Sequence, residues 1–571
     1  MKKKDFLWFL LFPVYLTIGA IRHEGSHALA AMEERLQEAI KLNPDLAAEL
    51  IETLSGDEDV SARRVAAKGL PEFTKANPGL AAGLVETLSR DEDWFVRWVM
   101  ARGLPEFTKA NPDLAAGLVE TLSRDKDGSV RRVVAGGLPE FTKANPGLAA
   151  GLIEALSRDK DGSVRRAVAE GLPEFIEVNP ELAAGLIEAL SRDEDRYVRR
   201  AVAKGLPEFT KVNPDLAAGL IEALSRDKDG YVRVVVAEGL PEFTKVNPEL
   251  VAGLIETLSR DEDEYVRRAM AGGLREFIEV NPELAAELIE TLSRDKDGSV
   301  RRMVAEGLPE FTKVNPELAA GLIETLSRDE DEYVRRAVAW GLPEFTKVNP
   351  GLAAGLIETL SGDEDRYLRW VVAKGLREFI KVNPDLAAGL IETLSRDQNG
   401  YVRWVVARGL PEFTKVNPEL AAGLIETLSR DEYLSARWAV AEGLREFIKV
   451  NPDLAAGLIE TLSRDQNGYV RTMVARGLRE FIKVNPDLAA GFIETLSRDK
   501  DKYVLRTVAE GLPAFTKVNP DLAAGLIETL SKDKDWSVRE VVAEGLREFT
   551  EMYPQRAPRL VEELGKRRGR H

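Results

Sequence analysis

The dipeptide Asn-Pro returns every 34 residues along this chain. It stands at Asn43-Pro44, Asn77-Pro78, Asn111-Pro112 and onward to Asn519-Pro520, and Pro554 closes the series behind Tyr553. Fifteen intervals pass without one insertion or deletion. A length of 571 residues would otherwise suggest three or four globular domains. Strict internal repetition replaces that expectation with a stack of one supersecondary unit.

The unit from Pro316 to Asn349 shows what each repeat can fold into. Asn315 is placed to cap a helix whose first position is Pro316, where a missing N–H costs nothing. Leu318, Ala319, Leu322, Ile323 and Leu326 then share one side of a helix of about twelve residues. Ser327 to Glu330 break the pattern, and Asp331 can cap a second helix. There Val334, Ala337, Val338, Gly341, Leu342 and Phe345 form a continuous apolar stripe. Two such helices cannot bury their stripes alone, whereas a row of identical neighbours shares one long core. Pro343 falls within the second helix, yet the same position holds Arg in five repeats (Arg275, Arg377, Arg445, Arg479, Arg547). A position that accepts both residues predicts a kink near the helix end, not a required break.

The turn and second helix resemble HEAT repeats of the short bacterial kind. The features that carry the likeness are Asp329 and, six residues later, Arg335 beside Val334. The Asp recurs in all fifteen units and the Arg in fourteen, with Leu505 the exception. The tetratricopeptide pattern, which has the same period, does not align in register. The resemblance covers residues 44–570. It implies an all-α, right-handed α-solenoid of about fifteen 34-residue helix-turn-helix repeats, Asp and Arg side chains laddered between neighbours, and second helices lining a concave docking surface. The expected organisation is a hydrophobic segment over 1–31, a capping helix over 32–43, fifteen repeats over 44–553, and a closing helix with a basic tail over 554–571. Met32, Leu36, Ala39 and Ile40 can cover the first repeat, and Leu560, Val561 and Leu564 the last.

Candidate binding residues come from the outward side of the second helix. Position 336 lies about 200° around that helix from Val334. It holds Arg in many repeats but Trp98, Trp370, Trp404 and Trp438 in four, and Trp340 stands one turn from it. Trp340, Trp370, Trp404 and Trp438 are expected to form one exposed aromatic strip, a common mark of a contact surface. A second column alternates between Ser and Tyr (Tyr197, Tyr231, Tyr265, Tyr333, Tyr367, Tyr401, Tyr469, Tyr503) and reads as packing between repeats. Acidic turns such as Asp295-Lys296-Asp297-Gly298 lack the spacing of a calcium loop and read as helix caps.

The N-terminal stretch follows another logic. Lys2-Lys3-Lys4 precedes an apolar run from Phe6 to Ile21, and His23-Glu24-Gly25-Ser26-His27 comes next. This H-E-x-x-H places two potential zinc ligands, His23 and His27, on one helix face with Glu24 as the general base. With its hydrophobic lead-in it is similar to the first catalytic helix of site-2-protease-type membrane metalloproteases, over about thirty residues. That family takes a third ligand from an Asp on a later membrane helix, and this chain has no second hydrophobic span. The only other histidine is His571; Glu33 or Glu34 could supply a third ligand from nearby. The run itself suits a membrane anchor with the repeats on the non-cytoplasmic side, a signal peptide of a secreted protein, or a buried cap helix.

Composition narrows the function classes. The net charge of −17 disfavours wrapping nucleic acid, and the absence of cysteine removes disulfides, thiolate zinc sites and a cysteine nucleophile. The resulting expectation is a protein–protein interaction scaffold tethered by its N-terminal segment. The alternatives are a membrane zinc protease with the solenoid as a substrate-recruiting arm, and a structural spacer. No cofactor is favoured, and zinc is the one that the histidines could hold.

Overall fold

The computed structural model describes residues 32–556 together with 558 and 560. Helices and short connections make up these residues, with no strand among them. They divide into two compact units, one ending at Leu288 and the other starting at Ile289.

In the first unit a helix over residues 32–42 comes before the repeats. Its Met32, Leu36, Ala39 and Ile40 are buried, as a cap requires. Helix pairs follow, beginning with Pro44–Ser55 and Val60–Ala76, then Pro78–Ser89 with Trp94–Arg102 and Leu104–Ala110. We call the first member of each pair the A helix and the second the B helix. The second unit repeats the plan, its last B helix being Trp536–Met552.

Each boundary has a local cause. The Asn315 N–H donates to the Phe311 carbonyl at 2.8 Å, closing one B helix. Its side-chain oxygen accepts the Leu318 N–H at 3.2 Å, opening the next A helix, Pro316–Leu326. One residue thus ends a helix and starts another. Asp331 accepts the Tyr333 N–H at 2.8 Å and starts the B helix. Proline at this position does not by itself stop the helix. The B helix runs unbroken through Pro71, Pro139 and Pro309, but divides before Pro105 and Pro343, and also near Arg275.

The core within each unit is a column of aliphatic side chains with one phenylalanine per repeat. Phe345 and its counterparts from Phe73 to Phe447 are fully buried, each contributing about 1.5–3 kcal/mol of transfer free energy. The B-helix glycine is part of this packing. A Cβ on Gly137 would come within 2.8 Å of the Leu104 side chain, and one on Gly477 within 2.6 Å of Leu444. At those positions a Cβ fits only if the neighbouring leucine side chain moves.

The Asp–Arg pair forms a ladder in each unit. In the first, Arg131 donates from Nε and Nη2 to both carboxylate oxygens of Asp159, at 2.6 and 2.8 Å. Its Nη1 donates to the Asp125 carbonyl of its own repeat at 2.6 Å. In the second, Arg301 does the same to Asp329 and to the Asp295 carbonyl. Each aspartate also accepts the N–H two residues on, as Asp159 does from Asp161. Each of these arginines therefore fastens its own turn and reaches into the following repeat, whereas Arg539 in the last repeat fastens only its own turn. Hydrogen bonding to Asp159, working against burial, holds the Arg131 guanidinium above its ordinary pKa. Burial pushes the Asp159 carboxyl up, but the hydrogen bonds from Arg131 and from the Asp161 N–H more than cancel this, so its pKa lies below the usual range.

One expectation is corrected. No helix among the described residues is long and apolar enough to cross a membrane, so the reading of a membrane-anchored chain with its repeats on the non-cytoplasmic side is withdrawn. The longest repeat helices have 17 residues and carry charges along them, as Arg366–Val382 does, whereas a span needs about 20 predominantly apolar residues. The run from Phe6 to Ile21 lies outside the described residues. So do His23, Glu24 and His27, and, at the other end, Val561, Leu564 and the basic tail. Leu560 is buried, as a closing helix requires.

Candidate docking face

The outward side of the B helices carries the tryptophans in a more divided arrangement than the predicted strip. In the second unit the Trp340 and Trp370 rings meet edge to face at 6.2 Å, and Tyr367 stacks on Trp370 at 5.3 Å. One repeat on, Tyr401 touches both Trp404, at 6.5 Å, and Tyr433, at 5.2 Å. Trp438 joins neither contact. Trp340 is exposed, whereas Trp370, Trp404 and Trp438 are half-buried. In the first unit Trp98 stacks on Phe95 at 5.1 Å, and Trp94 meets the edge of Phe95.

The tyrosine column is more open than its reading as inter-repeat packing implies. Its members are 42–67% exposed. The contacts between repeats that they do make come largely from arginines of the preceding repeat and from one ring pair, Tyr401 with Tyr433. Arg336 lies 5.0 Å from both Tyr333 and Tyr367, and Arg64 covers Phe95 at 4.3 Å. A cation over a ring face is attracted by its quadrupole, so these contacts hold the rings without burying them.

The residue one turn beyond position 336 varies, and in some repeats it pairs with that position. Where that residue is Arg, the side chain one turn on is Glu in three repeats and pairs with it: Arg166–Glu170, Arg302–Glu306 and Arg506–Glu510. Where it is Trp, the side chain one turn on is a cation in three of four repeats, and that cation sits over the indole. Arg102 lies 5.6 Å from Trp98, Lys374 5.7 Å from Trp370 and Arg408 5.4 Å from Trp404. Lys374 also lies 4.8 Å from Trp340, bridging two repeats. Arg336 is engaged by Asp365 at 2.6 Å, and this hydrogen bond, against burial, raises its pKa.

Clefts open on this face in both units, one of about 410 Å³ in the first being lined by Arg102, Arg132, Ser163, Arg166 and Glu170, among others, and two more holding aromatic residues. In the second unit one of about 570 Å³ is lined by Arg302, Glu306, Tyr333, Arg336, Trp340 and Tyr367, among others. In the first unit one of about 720 Å³ is lined by Arg64, Lys68, Phe95, Trp98 and Arg102, among others. Among the described residues no three His, Cys, Asp or Glu gather as metal ligands. Glu33, a candidate third zinc ligand, is paired with Lys68.

Within each unit, A/B helix pairs stacked on one another and joined by bidentate Arg–Asp rungs, with Leu505 the one gap, define a helical-repeat solenoid. The family model for HEAT repeats matches residues 47–139, 149–241, 251–343, 319–411 and 387–479, and the chain belongs to that family. Among solved structures it is similar to the Kap95:Nup1 complex, at 12% identity and a TM-score of 0.53, covering 97% of this chain and 88% of that one. It also resembles importin β in an ammonium sulfate condition, at 11% identity and a TM-score of 0.47, covering 94% and 89%. At such identities the likeness concerns the fold. No curated protein matches the chain in sequence.

Proposed function

We propose that this chain is a scaffold that binds a protein partner on the outward face of its B helices, around Trp340, Trp370, Trp404 and Trp438, with Trp98 marking a second contact area in the first unit. The observation that carries the reading is the aromatic group of the second unit. Trp340 and Tyr401 are 48% and 60% exposed, although the core of the same repeats is fully served by Leu, Val, Ala and Phe. Large aromatic side chains left open beside a cleft supply contact area at low entropic cost, which is why they dominate interface hot spots. The Kap95:Nup1 complex shows that this fold accommodates a protein partner elsewhere.

The test is site-specific photo-cross-linking in the cells that make the protein. A photoreactive residue at Tyr401 is expected to trap a discrete protein adduct. The same residue at Glu358, exposed on an A helix, is expected to trap none. Equal labelling from both positions, or no adduct from Tyr401, would overturn the reading.

A further inference from the structure

The same face of the second unit carries a group of positive charges that the chain does not neutralise. Arg366, Lys374, Arg377 and Arg408 are exposed, and among the described residues none of them makes an ion pair. Their setting is unusual in a protein of net charge −17. Some other cations of this face are matched by a carboxylate of the following repeat. Arg196 at the start of its B helix pairs with the capping Asp229 of the following repeat at 3.3 Å, and Lys502 pairs with Asp535 at the same distance.

Arg366 occupies the equivalent position and has no such partner, because the following cap is Asn399. The cap is Asp in twelve repeats; the three exceptions, Asn399, Tyr433 and Asn467, are consecutive. Asn399 keeps the capping hydrogen bond to the Tyr401 N–H at 2.9 Å while removing the charge. The cap is conserved in function and neutralised in charge. The two neighbouring glutamates of the B helices do not offset the group, since Glu378 is held by Lys381 and Glu412 by Lys415.

Lys374 and Arg408 lie against indoles, so their positions are fixed while their charge remains open to solvent. The helices 332–340, 366–382 and 400–416 pack side by side, and adjacent axes are about 8–10 Å apart. Rings and cations therefore alternate across three successive helices.

We infer that this patch docks an acidic segment of a protein partner, a peptide whose carboxylates meet Arg366, Lys374, Arg377 and Arg408 while its apolar side chains rest on Trp340, Tyr367 and Tyr401. The inference rests on the docking function proposed above and adds the chemistry of the partner. Peptide is favoured over single-stranded nucleic acid, which also stacks on aromatic residues beside cations, because the chain is acidic overall at a net charge of −17 and several arginines of this face outside the patch are already held by carboxylates, as Arg166 is by Glu170 and Arg302 by Glu306, whereas nucleic acid binding draws on a long open basic track.

The experiment is a selection of random twelve-residue peptides displayed on phage against the immobilised full-length chain. Binders to a Trp340→Ala/Tyr367→Ala variant are removed first. Fluorescence anisotropy then follows the enriched peptides, with an oligothymidine of twelve nucleotides run beside them. Acidic peptides are expected to be enriched. Lys374→Glu/Arg408→Glu is expected to weaken them by about tenfold or more, with a marked dependence on salt. The substituted side chains are exposed, and an unchanged melting temperature verifies the fold of each variant. Enrichment of neutral or basic peptides at the patch would overturn the acidic class and leave the docking function standing. Tighter binding of the oligothymidine would overturn it in favour of nucleic acid. Recovery of no peptide that distinguishes the wild type from the Trp340→Ala/Tyr367→Ala variant would overturn both.

Discussion

Arg471 holds Asp499 of the following repeat through two nitrogens, Nε at 2.5 Å and Nη2 at 2.8 Å, with both side chains 8% exposed. One repeat further on, Leu505 replaces the arginine and Asp533 keeps only the local bond from the Asp535 N–H. The chain therefore contains its own control for a missing rung. A complete buried ion pair is close to neutral in net stability, whereas removing one partner strands the other charge. Asp499→Ala leaves the Arg471 guanidinium charge buried with only the Asp465 and Gln466 carbonyls to accept from it, no carboxylate, and is expected to cost about 3–5 kcal/mol. Arg471→Leu imitates the native Leu505 and is expected to cost less, since Asp499 retains the Asp501 N–H. Native-state hydrogen exchange across residues 468–518 measures both, locally, as a repeat array requires. Equal costs would refute the asymmetry.

Acid should loosen the array through the same rungs. Burial raises the carboxyls of Asp159, Asp193, Asp227 and Asp499, but hydrogen bonds from Arg131, Arg165, Arg199 and Arg471 and from nearby backbone amides leave each pKa lowered. A lowered folded-state pKa gives stability that is fully present above the unfolded value of about 3.9 and lost as pH falls through the folded value. The melting temperature is expected to hold steady from neutral pH to about pH 5 and to fall steeply below about pH 4. Circular dichroism melts over that range read it out. A decline that begins near pH 6 would point to a different titrating group.

Two glycines at the same repeat position predict opposite outcomes. A Cβ on Gly477 would lie 2.6 Å from the Leu444 side chain, while one on Gly409 meets nothing within 4 Å. Gly477→Ala is expected to destabilise by about 1–3 kcal/mol through overpacking. Gly409→Ala is expected to stabilise by up to about 1 kcal/mol through helix propensity. Urea melts of the two variants against wild type decide the matter, and a common sign would show that the neighbouring leucine yields.

Zinc analysis tests the histidine motif independently of any repeat. His23 and His27 would supply two ligands; of the nearby carboxylates Glu33 is committed to Lys68, which leaves Glu34 as the remaining candidate for a third. A catalytic zinc site needs three protein ligands. The full-length chain is expected to retain less than stoichiometric zinc after dialysis, with no change in a His23→Ala/His27→Ala variant. Stoichiometric metal that is lost in the variant would reinstate the protease reading.

Much of the fold was legible before any coordinate. Asn315, Pro316 and Asp331 announce helix starts by local hydrogen-bond chemistry, and the stripe from Val334 to Phe345 announces its buried face by spacing alone. The candidate face was legible only in part. The tryptophans could be placed on the outward side of the B helix, but the exposure of Tyr367 and Tyr401, the bridging of Trp340 and Trp370 by Lys374, and the isolation of Trp438 from both ring groups could not. The one sequence signal that would have found the cationic patch is the run of neutral caps at Asn399, Tyr433 and Asn467.

The sequence by itself determined the period, the helices, their caps and their buried stripes, because each of these depends on residues within a few positions of one another. Tertiary structure decided which repeat each Arg–Asp rung joins, where a B-helix glycine is crowded by a neighbouring leucine, and which aromatic rings and cations share a surface. Those relationships link residues about one repeat apart, as Arg471 is linked to Asp499, and depend on how one helix pair is set against the next, a geometry that no local pattern encodes.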